Sequence, residues 1–218
     1  MILFLLSFII NAQEPIRIAV IDSGISPEAS AKINHCDKKL NKSFTDDTLY
    51  DFIGHGTNIT GLIYKNVGFV KHCFIIIKVW GDKGRADNDP FTKGLQYATL
   101  LHPDIINLSG GGYGKNLKEQ NIVLNYLNKG GILVNAAGND GKYLEKETCS
   151  WYPGCYDARI MVIGNKGNNS NYGPRINMII DGNNKEGFGE MSSGSSQSAA
   201  IFTGMAVKLW KIKKNSSK

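Results

Sequence analysis

Three short stretches of this 218-residue chain place a chemically able side chain at the edge of an apolar run. Asp22 follows IRIAVI and precedes Ser-Gly, His55 sits in GHGT and opens a patterned segment, and Ser196 lies in GSS at the head of SQSAAIFTGMAVKLW. A carboxylate, an imidazole and a hydroxyl are the set needed for nucleophilic attack on a carbonyl. The hydroxyl is a weak nucleophile until an imidazole takes its proton, and the imidazole needs a carboxylate to fix its tautomer and stabilise its cation. Each stretch alone has a plainer reading. An Asp after a strand is often a turn or cap residue, His-Gly is a weak dipeptide, and Gly-Ser-Ser is commonly a loop. The combination of the three carries the argument.

Such residues act together only if a scaffold gathers them. Short β-branched runs at residues 16–21, 73–79, 104–108, 132–136 and 160–163 read as strands covered on both sides, since most are almost continuously apolar. Helices alternate with them. Residues 117–129 place Ile122, Val123, Tyr126 and Leu127 on one face before Gly130, and Asp89-Pro90 opens a helix to about Leu101. The run 196–210 is apolar nearly all round and reads as a helix buried in the centre, its first turn carrying free N–H groups and partial positive charge. The pattern predicts an α/β fold: a single doubly wound domain with a mainly parallel central sheet and helices on both faces. Sites in such sheets form beyond the carboxyl ends of the strands, which is where Asp22 falls.

IAVIDSGIS, GHGTNITGLI and SGSSQSAAIFTG resemble, in that order, the three active-site motifs of the subtilisin-like serine proteases, the subtilase family. DIINLSGGG looks like the family's substrate-binding strand and ILVNAAGND like its oxyanion segment. SWYPGCYDARIMVIGN followed by NSNYG is similar to its Tyr-Pro-containing stretch. The resemblance runs from about Ile16 to Lys208. It implies a serine endopeptidase working through an acyl-enzyme, with His55 as base for Ser196, Asp22 orienting His55, and Asn139 with the Ser196 N–H holding the oxyanion. The implied substrate is a polypeptide bound as an extended strand between Gly84, Arg85 and Ala86 on one side and Ser109, Gly110 and Gly111 on the other. Trp151, at the implied floor of the first specificity pocket, favours a small side chain, whereas Asp140 at its rim favours a basic one.

The chain also departs from the family. Ser195, Ser198 and Ala200 stand where Thr, Ala and Pro are common, Asn58 where a second His is frequent, and Gly110 where an apolar residue often lines the cleft. No calcium-binding loop fits between His55 and Ile75. Asp46, Asp47 and Asp51, or Asp82, Asp87 and Asp89, lack a spaced ligand loop and read as solvated acidic turns, with a bound calcium ion as the alternative; no metal site and no cofactor are expected. The reading from another class is a catalytically impaired relative that binds extended peptides or a partner protein. A nucleotide site at SGGGYG is disfavoured, because no Lys-Ser/Thr follows it and no G-x-G-x-x-G opens a helix.

Bulk properties agree with one domain: 42% apolar and 20% charged residues, with no linker-like stretch. The net charge of +6 comes from scattered lysines, and the knot at Lys208, Lys211, Lys213 and Lys214 reads as a solvated, fraying terminus. Neither nucleic acid nor stable membrane association is expected, and a monomer is. MILFLLSFIINAQ resembles a secretory signal peptide over residues 1–12, too short to span a bilayer, with a retained N-terminal anchor as the alternative. Residues 13–218 would then form the exported domain, with no prodomain before its first strand. Export would let the four cysteines pair. Proximity favours Cys149 with Cys155, leaving Cys36 with Cys73, although three pairings are formally open.

Overall fold

Alternate residues of the first strand face two different cores. The structure, a computed structural model, describes residues 14–46, 48–81, 88–167 and 169–216. In β1 (Ile16–Asp22), Ile18 and Val20 join one apolar cluster while Ala19 and Ile21 join another. Side chains along a strand point to opposite faces, so a strand apolar at every position demands a cover on each side. The covers are helices. One face packs against α2 (His55–Val67) and α5 (Ser195–Ser216), the other against α3 (Asn88–Leu100) and α4 (Leu117–Asn128).

After β1 come a one-turn helix α1 (Pro27–Ser30) and a two-residue strand β2 (Lys42–Ser43). The remaining strands are β3 (His72–Lys78), β4 (Ile105–Leu108), β5 (Ile132–Ala136), β6 (Met161–Asn165) and β7 (Met178–Ile180), followed by the hairpin of β8 (Lys185–Gly187) and β9 (Glu190–Ser192). The main sheet has seven strands in the order β2-β3-β1-β4-β5-β6-β7, and every pairing in it is parallel. The fold is therefore the expected doubly wound α/β architecture. Its strand order reverses at β1, between β3 and β4, and Asp22 ends β1 at that crevice.

The differences from the sequence reading have local causes. β2 and β7 are too short to show a period, and the residues of β8 and β9 are mostly polar. α5 is buried through its first turns, where Ala199, Ala200 and Thr203 are wholly covered. It then emerges, leaving Met205 and Leu209 exposed, so it is not buried all round. Its backbone stays helical to Ser216, beyond the expected fraying point. Disulfides join Cys36 to Cys73 and Cys149 to Cys155. No helix among the described residues is long and apolar enough to cross a membrane, and residues 1–13, which include the leader-like run, lie outside the described residues.

Phe74, fully buried in β3 among residues of β1 and α2, tests this packing. Phe74→Ala is expected to lower the unfolding free energy by about 3–5 kcal/mol, read from the denaturant midpoint, because a truncated ring leaves a cavity that a parallel sheet cannot close.

Candidate active site

Asp51 begins the site by fixing the entry to α2. Its Oδ1 accepts from the N–H groups of Ile53 (3.1 Å) and Gly54 (2.9 Å) and from Ser23 Oγ (2.8 Å). Its Oδ2 accepts from Thr57 N (2.7 Å) and Thr57 Oγ1 (2.8 Å). A carboxylate that satisfies the free donors of a helix start also suits its positive end. Asp51 is buried, so it is no solvated turn residue. Asp46 is likewise engaged, accepting from the buried Lys78 at 2.7 Å, a pairing that contributes to holding its carboxyl below the ordinary value against the effect of burial. Asp89 pairs with Lys93, while Asp47, Asp82 and Asp87 lie outside the described residues.

With α2 held, His55 stands opposite the end of β1. Its Nδ1 lies 2.7 Å from Asp22 Oδ1, so Nδ1 carries the proton and Nε2 is left as the basic nitrogen. Asp22 is 1% exposed on its side chain and His55 24%. Asp22 Oδ1 also accepts from Ser23 N at 2.8 Å, while Ser23 Oγ accepts from Gly56 N at 2.9 Å. Burial works against the charged imidazole, but attraction to Asp22, their hydrogen bond and the more distant Asp51 outweigh it and raise His55 above its ordinary 6.5.

The head of α5 forms the other half. Ser195 N donates to Asn139 Oδ1 (2.9 Å) and Gly138 N donates to Ser195 Oγ (3.1 Å). The bond to Oδ1 settles which way the Asn139 amide points and leaves Nδ2 as its donor end. Ser196 Oγ donates to the Ser109 carbonyl at 3.0 Å and makes no hydrogen bond to His55 in this conformer. The structure thus joins Asp22 to His55 and Ser196 to Ser109 in the segment just after β4, and Ser196 and Asn139 line one cleft of about 870 Å³.

Trp80, which the sequence reading missed, connects the two halves. Its ring stands 5.9 Å from that of His55, centroid to centroid, and lines the same cleft. It directly follows the apolar run 73–79, the place Asp22 holds after IRIAVI, but an aromatic ring there reads as more of the apolar run. Trp80 also accounts for Gly110: a Cβ there would lie 2.2 Å from Trp80 Cζ2, so the indole occupies the space of a side chain on the wall. Asn135 Nδ2 donates to the carbonyls of Leu108 (3.0 Å) and Gly110 (2.7 Å) and so positions that wall. Gly111 keeps its backbone N–H and C=O free of hydrogen bonds among the described residues. Gly84, Arg85 and Ala86, expected as the opposite wall, lie outside the described residues.

Asn58, also within α2, is wholly buried and uses both ends of its amide. Nδ2 donates to the carbonyls of Lys185 (2.9 Å) and Glu190 (2.7 Å), and Oδ1 accepts from Gln197 Nε2 (2.9 Å). Asp140 is exposed at the rim, where its carboxylate accepts from the Tyr113 hydroxyl at 2.7 Å. Burial, with that bond, pushes the Tyr113 hydroxyl up to about 12. Trp151 lies between Gly111 and Gly138.

A family model described as the subtilase family matches residues 14–218. The major intracellular serine protease of Bacillus subtilis (strain 168) is 31% identical over 165 residues, 67% of this chain and 50% of that protein. The minor extracellular protease Epr of the same strain is 30% identical over 156 residues, 67% of this chain and 23% of that protein. A solved structure of a cold adapted subtilisin-like serine proteinase shares the fold with a TM-score of 0.72 at 19% identity, covering 89% of this chain and 75% of that one. The chain spans half the length of the first relative and less of the second.

The Asp22–His55 bond makes a spectroscopic prediction. With a raised folded value, the pair contributes stability fully below pH 6.5, and the contribution is lost as pH rises through the folded value. Asp22→Asn removes the attraction and leaves burial, so the His55 ring protons are expected to titrate at lower pH by NMR; an unmoved titration would show that Asp22 is not the cause.

Proposed function

Because this chain belongs to the subtilase family, we propose that it is a serine endopeptidase that cleaves polypeptides through Asp22, His55 and Ser196. The observation that carries the proposal is the Asp22–His55 hydrogen bond of 2.7 Å, which leaves Nε2 of His55 as the free base; its ring stands against Trp80, and Trp80 and Ser196 line one cleft. The substrate lies extended along Ser109, Gly110 and Gly111, using the open backbone groups of Gly111. Ser196 turns about its Cα–Cβ bond from the Ser109 carbonyl toward Nε2, gives up its proton and adds to the scissile carbonyl. Asn139 Nδ2 and the Ser196 N–H at the positive end of α5 hold the oxyanion. The His55 proton passes to the leaving amine, and water then releases the acyl group by the same route. The neutral imidazole is the base, so cleavage should rise with pH through the raised His55 value.

The bond from Ser196 to Ser109 is also what an idle, peptide-binding relative would have, so a covalent test separates the two. We place the protein outside the cytoplasm on the leader-like residues 1–12; its relatives include both an extracellular and an intracellular protease.

A fluorophosphonate is expected to label the wild-type chain and not Ser196→Ala. Ser196→Ala and His55→Ala should each abolish hydrolysis of an unfolded protein substrate while far-UV circular dichroism stays unchanged. Asn139→Ala should retain slow cleavage, lower in kcat by about 10²–10³, a magnitude established within this family for its oxyanion amide. Undiminished cleavage by either Ser196→Ala or His55→Ala would overturn the mechanism.

A further inference from the structure

The cleft beside Ser196 has a recess between two glycines, and an indole already fills it. A Cβ at Gly111 would lie 2.9 and 3.0 Å from Trp151 Cε2 and Cζ2, and one at Gly138 would lie 3.0 Å from Trp151 Cη2 and Cζ2. These distances are below ordinary contact, so both walls close on the ring as tightly as glycine permits. The indole is also anchored. Trp151 Nε1 donates to the Ala136 carbonyl at 2.7 Å, the next residue pairs through Tyr152 N and O with Gly112 (2.7 and 2.9 Å), and the Cys149–Cys155 disulfide brackets the segment. Only 8% of Trp151 is exposed, so it is part of the wall and no mobile flap.

Tyr113 supports both the ring and the rim. Tyr113, two residues after Gly111, stands edge-on to Trp151 with centroids 5.1 Å apart and donates its hydroxyl to Oδ2 of Asp140, two residues after Gly138. Asn171 Nδ2 donates to the Tyr113 hydroxyl at 3.2 Å, and Lys142 Nζ sits 3.8 Å from the centroid of the Tyr113 ring. The rim carboxylate of Asp140 thus already accepts a hydrogen bond, and the ring that gives it carries a lysine on its face.

We infer that this chain cleaves after residues with small side chains, glycine, alanine or serine, and discriminates against both bulky and basic ones, because Trp151 occupies the recess and Tyr113 holds the Asp140 carboxylate at its rim. The inference rests on the hydrolase reading above. A peptide paired with Gly111, its carbonyl carbon at Ser196 and its oxygen toward Asn139, directs the side chain of the carbonyl-bearing residue between the two walls. Beyond a methyl or hydroxymethyl group that side chain meets the ring. Opening the recess would mean breaking the Nε1 bond to Ala136 and moving a buried indole, so the selectivity is built into the fold.

The test uses the full chain and three fluorogenic peptides that differ only in the residue supplying the carbonyl: Ala, Phe or Lys. Active sites are first counted by fluorophosphonate labelling. The expected result is a kcat/KM for the Ala peptide at least about 100-fold above those for Phe and Lys. Trp151→Gly should bring Phe to within about tenfold of Ala. Trp151→Phe, which keeps most of the packing, should move the ratio the same way by less, so the expectation survives if the glycine variant does not fold. Comparable cleavage after Phe or Lys by labelled wild-type protein overturns this inference and leaves the hydrolase reading standing. Failure to label together with no cleavage of any peptide overturns both.

Discussion

The first turn of α5 is buried and polar, and the rest of the site follows from satisfying it. Ser195, Ser196, Gln197 and Ser198 are all at most 8% exposed, and a buried polar group without a partner costs about 1–3 kcal/mol. Each therefore draws a different segment inward: Gly138 and Asn139 to Ser195, the Ser109 carbonyl to Ser196, Asn58 to Gln197, and the Ile180 carbonyl to Ser198. A second chain of bonds runs from Thr203 to Asn107 and from Asn107 to Ser109. The cleft is the space these loops enclose once every group has its partner.

Two buried carboxylates next to α2 divide the labour. Asp51 is saturated by donors on both oxygens and serves to hold a helix end. Asp22 directs Oδ1 to His55, and its Oδ2 has no partner among the described residues, so its charge acts mainly through the imidazole. Ser23 lies between them, bonded to Asp51 and accepting from Gly56, which ties the end of β1 to the start of α2. The same residue type thus has a structural task at one position and an electrostatic one at the other, separated by hydrogen-bond count.

Positions that depart from the family pattern are built into the packing. Asn58 links α2 to the β8–β9 hairpin and to the residue following Ser196, and Gly110 makes room for Trp80. Ser198 turns its hydroxyl to the edge strand β7 through Ile180. Ala200 is wholly buried in a helix that runs on without interruption.

The sequence by itself determined the class of fold and the short set of chemically able residues. Runs such as IRIAVI and HCFIIIK carry their burial on both faces in their composition, and Asp22 ends one of them, which is local information. The tertiary structure alone decided how those residues are used. It turned the Ser196 hydroxyl toward Ser109, tied Asp140 Oδ2 to Tyr113, buried Asp51 as a cap, and set Trp151 between Gly111 and Gly138. Of these partners, Ser109 lies 87 residues from Ser196 and Tyr113 27 from Asp140. Periodicity reports which way a side chain faces relative to its own backbone; which atom it meets depends on segments brought together only when the sheet closes.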